Sequence, residues 1–154
     1  MPDKFFNKKD NKIIEQSISN YNFFLNDPFI KKYIQIMSST FRECKLNKRK
    51  IFIAGNGGSS SIASHVSVDL TKVVGIKSFN FNEHNLITCL TNDYGQDNWL
   101  QKAFEFYSTK SDLIVLISSS GKSKNIVKAA KFCKKRGNKV IGLSGFNKNN
   151  PLNK

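Results

Sequence analysis

The sequence predicts an α/β protein built around a parallel sheet. From residue 49 onward, short apolar runs alternate with stretches of helical periodicity, a pattern typical of βαβ units. The run over residues 114–117 is apolar at consecutive positions, which indicates a strand covered on both faces and therefore a parallel sheet. A chain of 154 residues with 39% hydrophobic content can bury one core. We therefore expect a single domain over residues 1–154.

Two helices are predicted ahead of the sheet, in residues 1–47. The first, over residues 10–25, has one apolar face at helical spacing, formed by Ile14, Ile18, Tyr21 and Leu25. Asp27 and Pro28 suit the N-cap and the first turn of the second helix, which is expected to end at about Leu46. The two helices either cover one face of the sheet or pack against copies of themselves in an oligomer, and the sequence leaves both alternatives open.

The α/β core is predicted over residues 48–154. Its strands are RKIFIAG (49–55), NLITCL (85–90), DLIVLIS (112–118) and NKVIGLSG (138–145), and its helices begin at about Ser60 and cover residues 97–108 and 124–135. In open parallel sheets, ligands bind at the carboxyl ends of the strands. The loops that directly follow the strands are therefore the places to look for a functional site.

The net charge of +14 raises nucleic acid or an anionic membrane as partners, because clustered cations bind phosphate groups. Lysine and arginine together number 25, but only three are arginine, and the lysines are spread along the chain among abundant Asn, Ile and Phe. Specific nucleic-acid readers rely more often on arginine. We interpret the charge as a compositional bias and do not expect nucleic acid as a partner.

The sequence contains no feature of a secreted or membrane protein. No run of about 18 apolar residues is present, and the segment MPDKFFNKKDNK lacks the apolar stretch of a signal peptide. The three cysteines, Cys44, Cys89 and Cys133, are far apart and outside any C-x-x-C pattern. We expect a cytoplasmic protein, no membrane as a partner, and reduced cysteines in the core.

The first candidate loop is GNGGSSS, residues 55–61. Its glycines permit positive φ and close backbone approach, and the helix that follows presents free N–H groups to an anion or a hydroxyl. It is not a dinucleotide-binding fingerprint, because G-x-G-x-x-G would need glycine where the chain has Ser60. An ordinary turn between strand and helix remains an alternative for this loop.

The second candidate loop is SSSGKS, residues 118–123, between a buried strand and a helix. Its hydroxyls and backbone amides meet the positive end of the helix dipole, an arrangement that suits a phosphate monoester. A P-loop is excluded, because the motif would need glycine where the chain has Leu116. Serine runs also occur in plain solvent loops, and the position after a buried strand is what favours a site here.

Taken together, the segments resemble the phosphoheptose isomerase branch of the sugar isomerase (SIS) family. The resemblance is carried by GNGGSSSIASHVSVDLT (55–71), LTNDYG (90–95), LISSSGKS (116–123) and NKVIGLSG (138–145), in that order. It implies a flavodoxin-like fold, a three-layer αβα sandwich with a doubly wound parallel sheet. It also implies interconversion of sedoheptulose 7-phosphate and an aldoheptose 7-phosphate through a cis-enediol, in the synthesis of lipopolysaccharide or capsule precursors. A homo-oligomer, dimer or tetramer, with sites between subunits is implied as well.

The resemblance also implies roles for individual residues. The substrate would contact Asn56, Gly57, Gly58, Asn92 and Asp93, and its phosphate would contact Ser118, Ser119, Ser120 and Ser123. His65 and Asp69 lie four residues apart on the predicted helix and so share a face. They correspond to a His and a Glu that bind zinc or move a proton in the family. Asp69 is then the candidate base, and zinc is the implied cofactor.

Two departures from the family qualify these expectations. Asp69 stands where the family has Glu, so its carboxylate is one methylene nearer the backbone. The family also continues past the GLSG strand with a strand and a helix that carry a Gln and a His, whereas this sequence stops at Lys154. We therefore expect the second acid-base partner to be missing from these residues, since His84 matches no family role. The alternative is a non-catalytic SIS module that binds a sugar phosphate or a protein partner, similar to the replication-initiator-associating proteins.

Overall fold

A computed structural model describes residues 7–154 of the chain. These residues fall into two compact units, one that ends at Phe41 and one that runs from Arg42 to Lys154. The sequence prediction of a single domain over residues 1–154 stays a prediction. In the described part of the chain, no helix is both long enough and apolar enough to cross a bilayer.

The first unit contains α1 (Lys8–Asn26) and most of α2 (Pro28–Leu46), and both predicted helices are confirmed. The Asn7 side chain accepts hydrogen bonds from the backbone N–H groups of Lys9 and Asp10, while the Asp10 carboxylate accepts one from the Asn7 N–H. This reciprocal capping box fixes the start of α1. The Asp27 carboxylate accepts a hydrogen bond of 2.8 Å from the Phe29 N–H, as expected of an N-cap for α2.

The second unit is a parallel four-stranded sheet with helices. Its strands are β1 (Ile51–Gly55), β2 (Ser78–Phe79), β3 (Leu113–Ile117) and β4 (Lys139–Leu143), and its helices are α3 (Gly58–Asp69), α4 (His84–Tyr94), α5 (Trp99–Tyr107) and α6 (Lys124–Arg136). The strand order is β2-β1-β3-β4, and every pair is parallel. This order is that of a doubly wound, flavodoxin-like sheet, so the predicted fold class is confirmed.

The core of this unit forms where alternate residues of β1 and β3 meet the helices. Phe52, Ala54, Ile114 and Leu116 pack with Trp99, Leu100, Phe104, Ile126 and Cys133 in one apolar cluster. The intervening residues of the same strands, such as Ile53 and Val115, are also at most 2% exposed. Strands apolar at consecutive positions are therefore buried on both faces, as the sequence predicts.

The prediction that NLITCL forms a strand is wrong. Residues 84–94 form α4, whose first turn is capped by the Glu83 carboxylate, which accepts a 2.8 Å hydrogen bond from the Leu86 N–H. A six-residue apolar run fits either structure, and here Leu86 and Leu90 are four apart and face the core together. His84 is an exposed residue at the start of this helix.

The cysteine prediction is confirmed for two of three residues. Cys44 and Cys133 are buried and Cys89 is exposed, and all three are free thiols. Cys89 is not a core residue because α4 places it on its outer face. Burial raises the pKa of the Cys44 thiol, opposed chiefly by the Arg49 charge, and raises the pKa of Cys133 to about 11, opposed by Arg136.

Candidate functional site

The two central strands of the sheet, β1 and β3, are hydrogen-bonded neighbours, and their connections run to opposite sides of the strand order. Their carboxyl ends, at Gly55 and Ile117, are paired in register. This is the topological switch point where open α/β sheets bind ligands. The sheet therefore brings together the two loops that the sequence predicts as a site, residues 55–61 and residues 118–123.

The first loop turns sharply from β1 into α3. Gly57 has φ of +54° and serves as the N-cap of α3, a conformation that favours glycine. A Cβ added to Gly55 would lie 2.8 Å from the Ser59 carbonyl carbon and oxygen. The Ser60 hydroxyl donates a 2.7 Å hydrogen bond to the Gly57 carbonyl. These glycines are required by the backbone of the turn, in which the Ser59 and Ser60 N–H groups donate to the Asn56 and Gly57 carbonyls at 3.0 and 2.9 Å.

The second loop is a tight turn that leads into α6. The Gly121 N–H donates to the Ser118 carbonyl at 2.9 Å, and Gly121 has φ of +63°. The Ser118 hydroxyl donates to the Ser123 hydroxyl at 3.3 Å, and the Ser120 hydroxyl accepts a 3.2 Å hydrogen bond from the Lys122 N–H. Ser123 and Ser120 each act as acceptors in these bonds, so their O–H groups remain able to donate to a ligand oxygen.

The residues after β4 fold back onto the second loop. The Gly145 N–H donates to the Ser119 carbonyl at 2.9 Å, and the Leu152 N–H donates to the Gly121 carbonyl at 3.1 Å. Asn150 is 1% exposed and occupies the space that a Cβ on Gly121 would need. We call the second loop, residues 118–123, the serine loop. It is held in place by the hydrogen bond within its own turn and by contacts with residues 145–152.

The two loops enclose an open pocket of about 200 Å³ at the carboxyl edge of the sheet. Five of the predicted site residues line it, namely Asn56, Ser118, Ser119, Ser120 and Ser123. Three further lining residues, Ser59, Ile117 and Phe146, were not predicted. Most of the groups that line the wall are therefore hydroxyls and an amide. They lie at the N-terminal end of the 13-residue helix α6, which is the positive end of the helix dipole.

Two residues of this site give little signal in the sequence. Asn125 pairs with Asn56 through side-chain amides, and a polar residue on the buried face of the predicted helix 124–135 was the available indication. Phe146 is 92% exposed with φ of +55°, an unusual conformation for a large apolar residue. Nothing in the local sequence indicates that Phe146 borders the pocket.

His65 and Asp69 do share a face of α3, as predicted. The His65 Nε2 and Asp69 Oδ2 atoms are 3.4 Å apart, and the two side chains are 80% and 54% exposed. Neither residue is among those that line the pocket. At about 1.5 Å per helical residue, His65 lies about 10 Å along α3 from Gly58. The predicted catalytic pair and the serine loop are therefore separate features on the surface of the unit.

Asn92 and Asp93 lie in the last turn of α4, and both are exposed. The Asn92 amide donates a 3.0 Å hydrogen bond to the Asp93 carboxylate, and the Cys89 thiol lies 3.7 Å from the other carboxylate oxygen. Because residues 85–90 are helical, this dipeptide is not placed at the end of a strand. The structure does not bring it to the walls of the pocket.

The residues that the family resemblance implies as zinc ligands do not form a complete ligand set. Within residues 7–154, no three His, Cys, Asp or Glu side chains are grouped so that they could hold a metal ion. His65 and Asp69 offer two donors, whereas catalytic zinc sites use three protein ligands. The described residues do not by themselves fit a zinc ion.

The chain is similar to known proteins in both sequence and fold. The family model of the SIS domain matches residues 29–145. The chain is 34% identical over 128 residues to a phosphoheptose isomerase from Campylobacter concisus, a match that covers 74% of this chain and 67% of the relative. It is 30% identical over 138 residues to a phosphoheptose isomerase from Aneurinibacillus thermoaerophilus, covering 86% of this chain and 70% of the relative. The chain thus spans about two thirds of the length of these relatives.

Solved structures of phosphoheptose isomerases are similar to this chain in fold. A phosphoheptose isomerase from Francisella tularensis superposes with a TM-score of 0.82 at 26% identity, over 94% of this chain and 77% of that chain. A phosphoheptose isomerase from Neisseria gonorrhoeae superposes with a TM-score of 0.80, also at 26% identity, over 92% of this chain and 76% of that chain. The likeness covers the helices as well as the sheet.

Proposed function

The chain belongs to the SIS domain family, in its phosphoheptose isomerase branch, and we propose that it is an isomerase that interconverts sedoheptulose 7-phosphate and an aldoheptose 7-phosphate. The observation that carries the proposal is the pocket at the switch point, where the serine loop and the N-terminal end of α6 form one polar wall. The similarity of the chain to phosphoheptose isomerases supports sedoheptulose 7-phosphate as the substrate.

The serine loop is suited to the phosphate of the substrate. Ser119, Ser120 and Ser123 present hydroxyls on one side of the pocket, and α6 begins at Lys124 with its dipole directed toward them. Charge-assisted hydrogen bonds to a dianion are among the strong ones. Binding energy from this remote group would hold the reacting carbons in place, because phosphate contacts persist through the reaction.

The size of the pocket indicates that it holds one part of the substrate and leaves the other part outside. At about 200 Å³, the pocket is smaller than the 300 to 1,000 Å³ that is usual for small-molecule sites. It can hold the phosphate and the adjoining carbons, and it is open toward the remainder. Asn56 lines the pocket and is followed in the chain by the Gly57–Gly58 turn, and in this proposal these residues contact the sugar hydroxyls.

The reaction moves one proton between neighbouring carbons. A base removes the proton from the hydroxyl-bearing carbon beside the carbonyl while the carbonyl oxygen takes up a proton, which forms the cis-enediol. A proton added to the former carbonyl carbon, with loss of the hydroxyl proton from the neighbouring carbon, makes the new carbonyl and completes the isomerisation. We propose Asp69 as the base, with His65 beside it at 3.4 Å to hold the carboxylate. Asp69 is 54% exposed and is not among the residues that line the pocket.

A homo-oligomer, dimer or tetramer, is part of the proposal. Apolar side chains on α1 and α2 are exposed, among them Ile18 (55%), Tyr21 (71%), Phe29 (63%) and Tyr33 (54%). Side chains of this kind on two consecutive helices are typical of a surface that another copy covers. Sedimentation equilibrium measures the mass directly, and a monomer at micromolar concentration would contradict this part of the proposal.

Zinc remains a proposal of the same kind. His65 and Asp69 would supply two ligands, and the remainder would come from outside the described residues of one chain. When bound, zinc would polarise the substrate carbonyl. The roles given above to the serine loop and Asn56 do not depend on it.

The proposed reaction is tested by following sedoheptulose 7-phosphate by NMR in heavy water, with added zinc and with a chelator. We expect isomerisation together with exchange of one carbon-bound proton, and we expect both to be lost in Asp69→Asn. Binding without exchange in the unmodified protein would contradict the isomerase proposal and favour a sugar-phosphate sensor. Equal rates with zinc and with the chelator would contradict the zinc proposal alone.

A further inference from the structure

The side chains of Asn56 and Asn125 form a reciprocal pair of amides that joins the two loops of the pocket. The Asn56 Nδ2 atom donates to the Asn125 Oδ1 atom at 2.9 Å, and the Asn125 Nδ2 atom donates to the Asn56 Oδ1 atom at 3.0 Å. Asn56 lies in the loop after β1, and Asn125 lies in the first turn of α6, directly after the serine loop. The residues are 69 positions apart in the sequence.

The two partners differ in their surroundings. Asn125 is 7% exposed, whereas Asn56 is exposed and lines the pocket. Within the described residues, the Asn125 amide has hydrogen bonds to Asn56 alone. The buried residue is therefore the fixed partner, and the exposed residue is the one that can meet a ligand.

The pairing fixes what Asn56 can offer. An amide side chain has two N–H donors and an oxygen with two lone pairs. The reciprocal pair uses one N–H and one lone pair of Asn56, which leaves one donor and one acceptor. Because both atoms of the amide are held, the plane of the group is fixed and the remaining donor and acceptor have set directions. Without this pairing, the Asn56 side chain could rotate, and its amide could flip so that the nitrogen and oxygen atoms swap positions.

We propose that Asn125 is a positioning residue that orients the Asn56 amide toward the hydroxyls of the sugar while the serine loop holds the phosphate. The inference rests on the proposed function, since it concerns the binding of the same substrate. Strand pairing does not depend on the amide pair, because β1 and β3 are already paired over five residues from Ile51↔Leu113 to Gly55↔Ile117. The pair instead sets the relation between the two parts of the substrate.

The first test compares two ligands in Asn125→Ala. Equilibrium binding of sedoheptulose 7-phosphate is expected to weaken about tenfold, since one oriented hydrogen-bonding group is lost. Binding of inorganic phosphate, which uses the serine loop alone, is expected to stay within about twofold of the unmodified protein. An equal loss for both ligands would mean that Asn125 supports the serine loop only, and no loss for either would mean that it has no role in binding. Both results overturn the inference.

A matched control is available at the other end of the same helix. Asn138 follows α6, is also 7% exposed, and also bonds through its side-chain amide, to the carbonyls of Thr109 and Asp112. Asn138→Ala is expected to leave both affinities unchanged in the folded protein. Lys131→Ala, on the exposed face of α6, serves if Asn138→Ala does not fold. A tenfold loss of sugar-phosphate affinity in the control would overturn the assignment to Asn125.

The second test is a double-mutant cycle. If Asn125 acts through Asn56, then Asn56→Ala together with Asn125→Ala binds sedoheptulose 7-phosphate as Asn56→Ala alone does. Additive losses would mean that Asn125 acts by another route and would overturn the inference.

A third measurement separates this inference from the proposed function. The side-chain NH₂ protons of Asn56 in the ligand-free protein report the pair without any substrate. They are expected to be shifted and protected from exchange, and to lose both properties in Asn125→Ala. Unchanged NH₂ signals would overturn the positioning role alone. If the unmodified protein bound inorganic phosphate and no sugar phosphate, the proposed function would be overturned, and with it the substrate role of the pair.

Discussion

Polar side chains gather at both ends of the parallel strands. The amino ends of the strands form what we call the first edge of the sheet, and their carboxyl ends form the second. At the first edge, Asp112 and Asn138 are 2% and 7% exposed, and their hydrogen bonds run to other protein groups. At the second edge, Asn56, Ser119 and Ser120 border an open pocket. The same kinds of side chain thus stand in opposite surroundings.

The edge where the strands begin is a closed network. The Asp112 carboxylate accepts from the backbone N–H groups of Lys50 and Thr109 at 3.1 and 2.8 Å, and from the Thr109 hydroxyl at 3.0 Å. The Asn138 amide donates to the Thr109 and Asp112 carbonyls, and the Arg136 guanidinium donates to Asn138 at 2.9 Å. Buried polar groups in such a network are matched by partners, so the network stabilises the fold and has little left to offer a ligand.

The edge where the strands end keeps bonding capacity in reserve. Among the described residues, the Ser120 hydroxyl accepts one hydrogen bond, from the Lys122 N–H, and its own proton is available. Asn56 keeps one donor and one acceptor beyond its pair with Asn125. The presence of Ser and Asn therefore does not by itself identify a site. Unused donors and acceptors at an open edge do.

The largest expected effect breaks the closed edge. Asp112→Ala removes the acceptor of three hydrogen bonds and leaves the Thr109 and Lys50 N–H groups without it, so we expect a loss of about 3 kcal/mol in the free energy of unfolding. Urea unfolding measures this loss. The affinity of the folded fraction for inorganic phosphate is expected to be unchanged, because the serine loop lies at the other edge.

The matched control for Asp112 is a half-buried aspartate at the surface. Asp97 has 42% of its side chain exposed and lies 3.9 and 3.8 Å from the Lys124 and Lys128 ammonium groups. Exposed ion pairs contribute little, and Asp97→Ala is expected to cost no more than about 0.5 kcal/mol. Similar losses in the two variants would refute the distinction between a closed network and a solvated surface.

The next effect acts on the open edge. In Ser120→Ala one donor to the phosphate is lost, and the dissociation constant of inorganic phosphate is expected to rise at least tenfold, as hydrogen bonds to charged groups contribute about 1.5 to 3 kcal/mol. The free energy of unfolding is expected to change by less than about 0.5 kcal/mol. Isothermal calorimetry and urea unfolding measure the two quantities.

The control for this change is Ser111→Ala. Ser111 is an exposed serine at the opposite edge, where its hydroxyl lies 2.9 Å from that of Thr109. It is expected to leave phosphate affinity unaffected. If Ser120→Ala bound phosphate as tightly as Ser111→Ala does, the serine loop would not be a phosphate site.

Much of the fold could be predicted from the sequence because β1 and β3, the two central strands, are buried on both faces. β1, β3 and β4 appear as apolar runs of the right length, and their alternation with helices fixed the parallel arrangement. β2 contains two residues, Ser78 and Phe79, too few to form a pattern. The error in residues 85–90 arose because a short apolar run fits a strand and a buried helix face equally well.

The candidate site was predictable to the extent that it follows directly from the ends of strands. The serine loop comes directly after β3, so its place at the edge of the sheet follows from the parallel topology. Asn125 and Asn150 act through contacts with residues distant in sequence, and no local pattern predicts such contacts. The substrate contacts of Asn92 and Asp93 were implied by the family resemblance and stay a prediction, and the structure places both residues in the last turn of α4.

The smallest expected effect concerns a thiol near the closed edge. Cys133 is 0% exposed, and its carbonyl accepts a 3.0 Å hydrogen bond from the Asn138 N–H. Burial raises its pKa from 9.0 to about 11, so the folded state favours the protonated thiol. This contribution to stability is fully present below pH 9 and is lost as the pH rises toward 11, because the unfolded chain ionises first.

The pH dependence is measured by urea unfolding of the unmodified protein and of Cys133→Ala at pH 8 and pH 10. Between these values, the unmodified protein is expected to lose about 1 kcal/mol more than the variant, which has no thiol to ionise at this position. Cys89→Ala, which removes an exposed thiol, is the matched control and is expected to follow the unmodified protein. Parallel curves for the unmodified protein and Cys133→Ala would mean that the thiol reaches solvent. In that case the closed edge would open in the native state, and its difference from the ligand-binding edge would be one of degree.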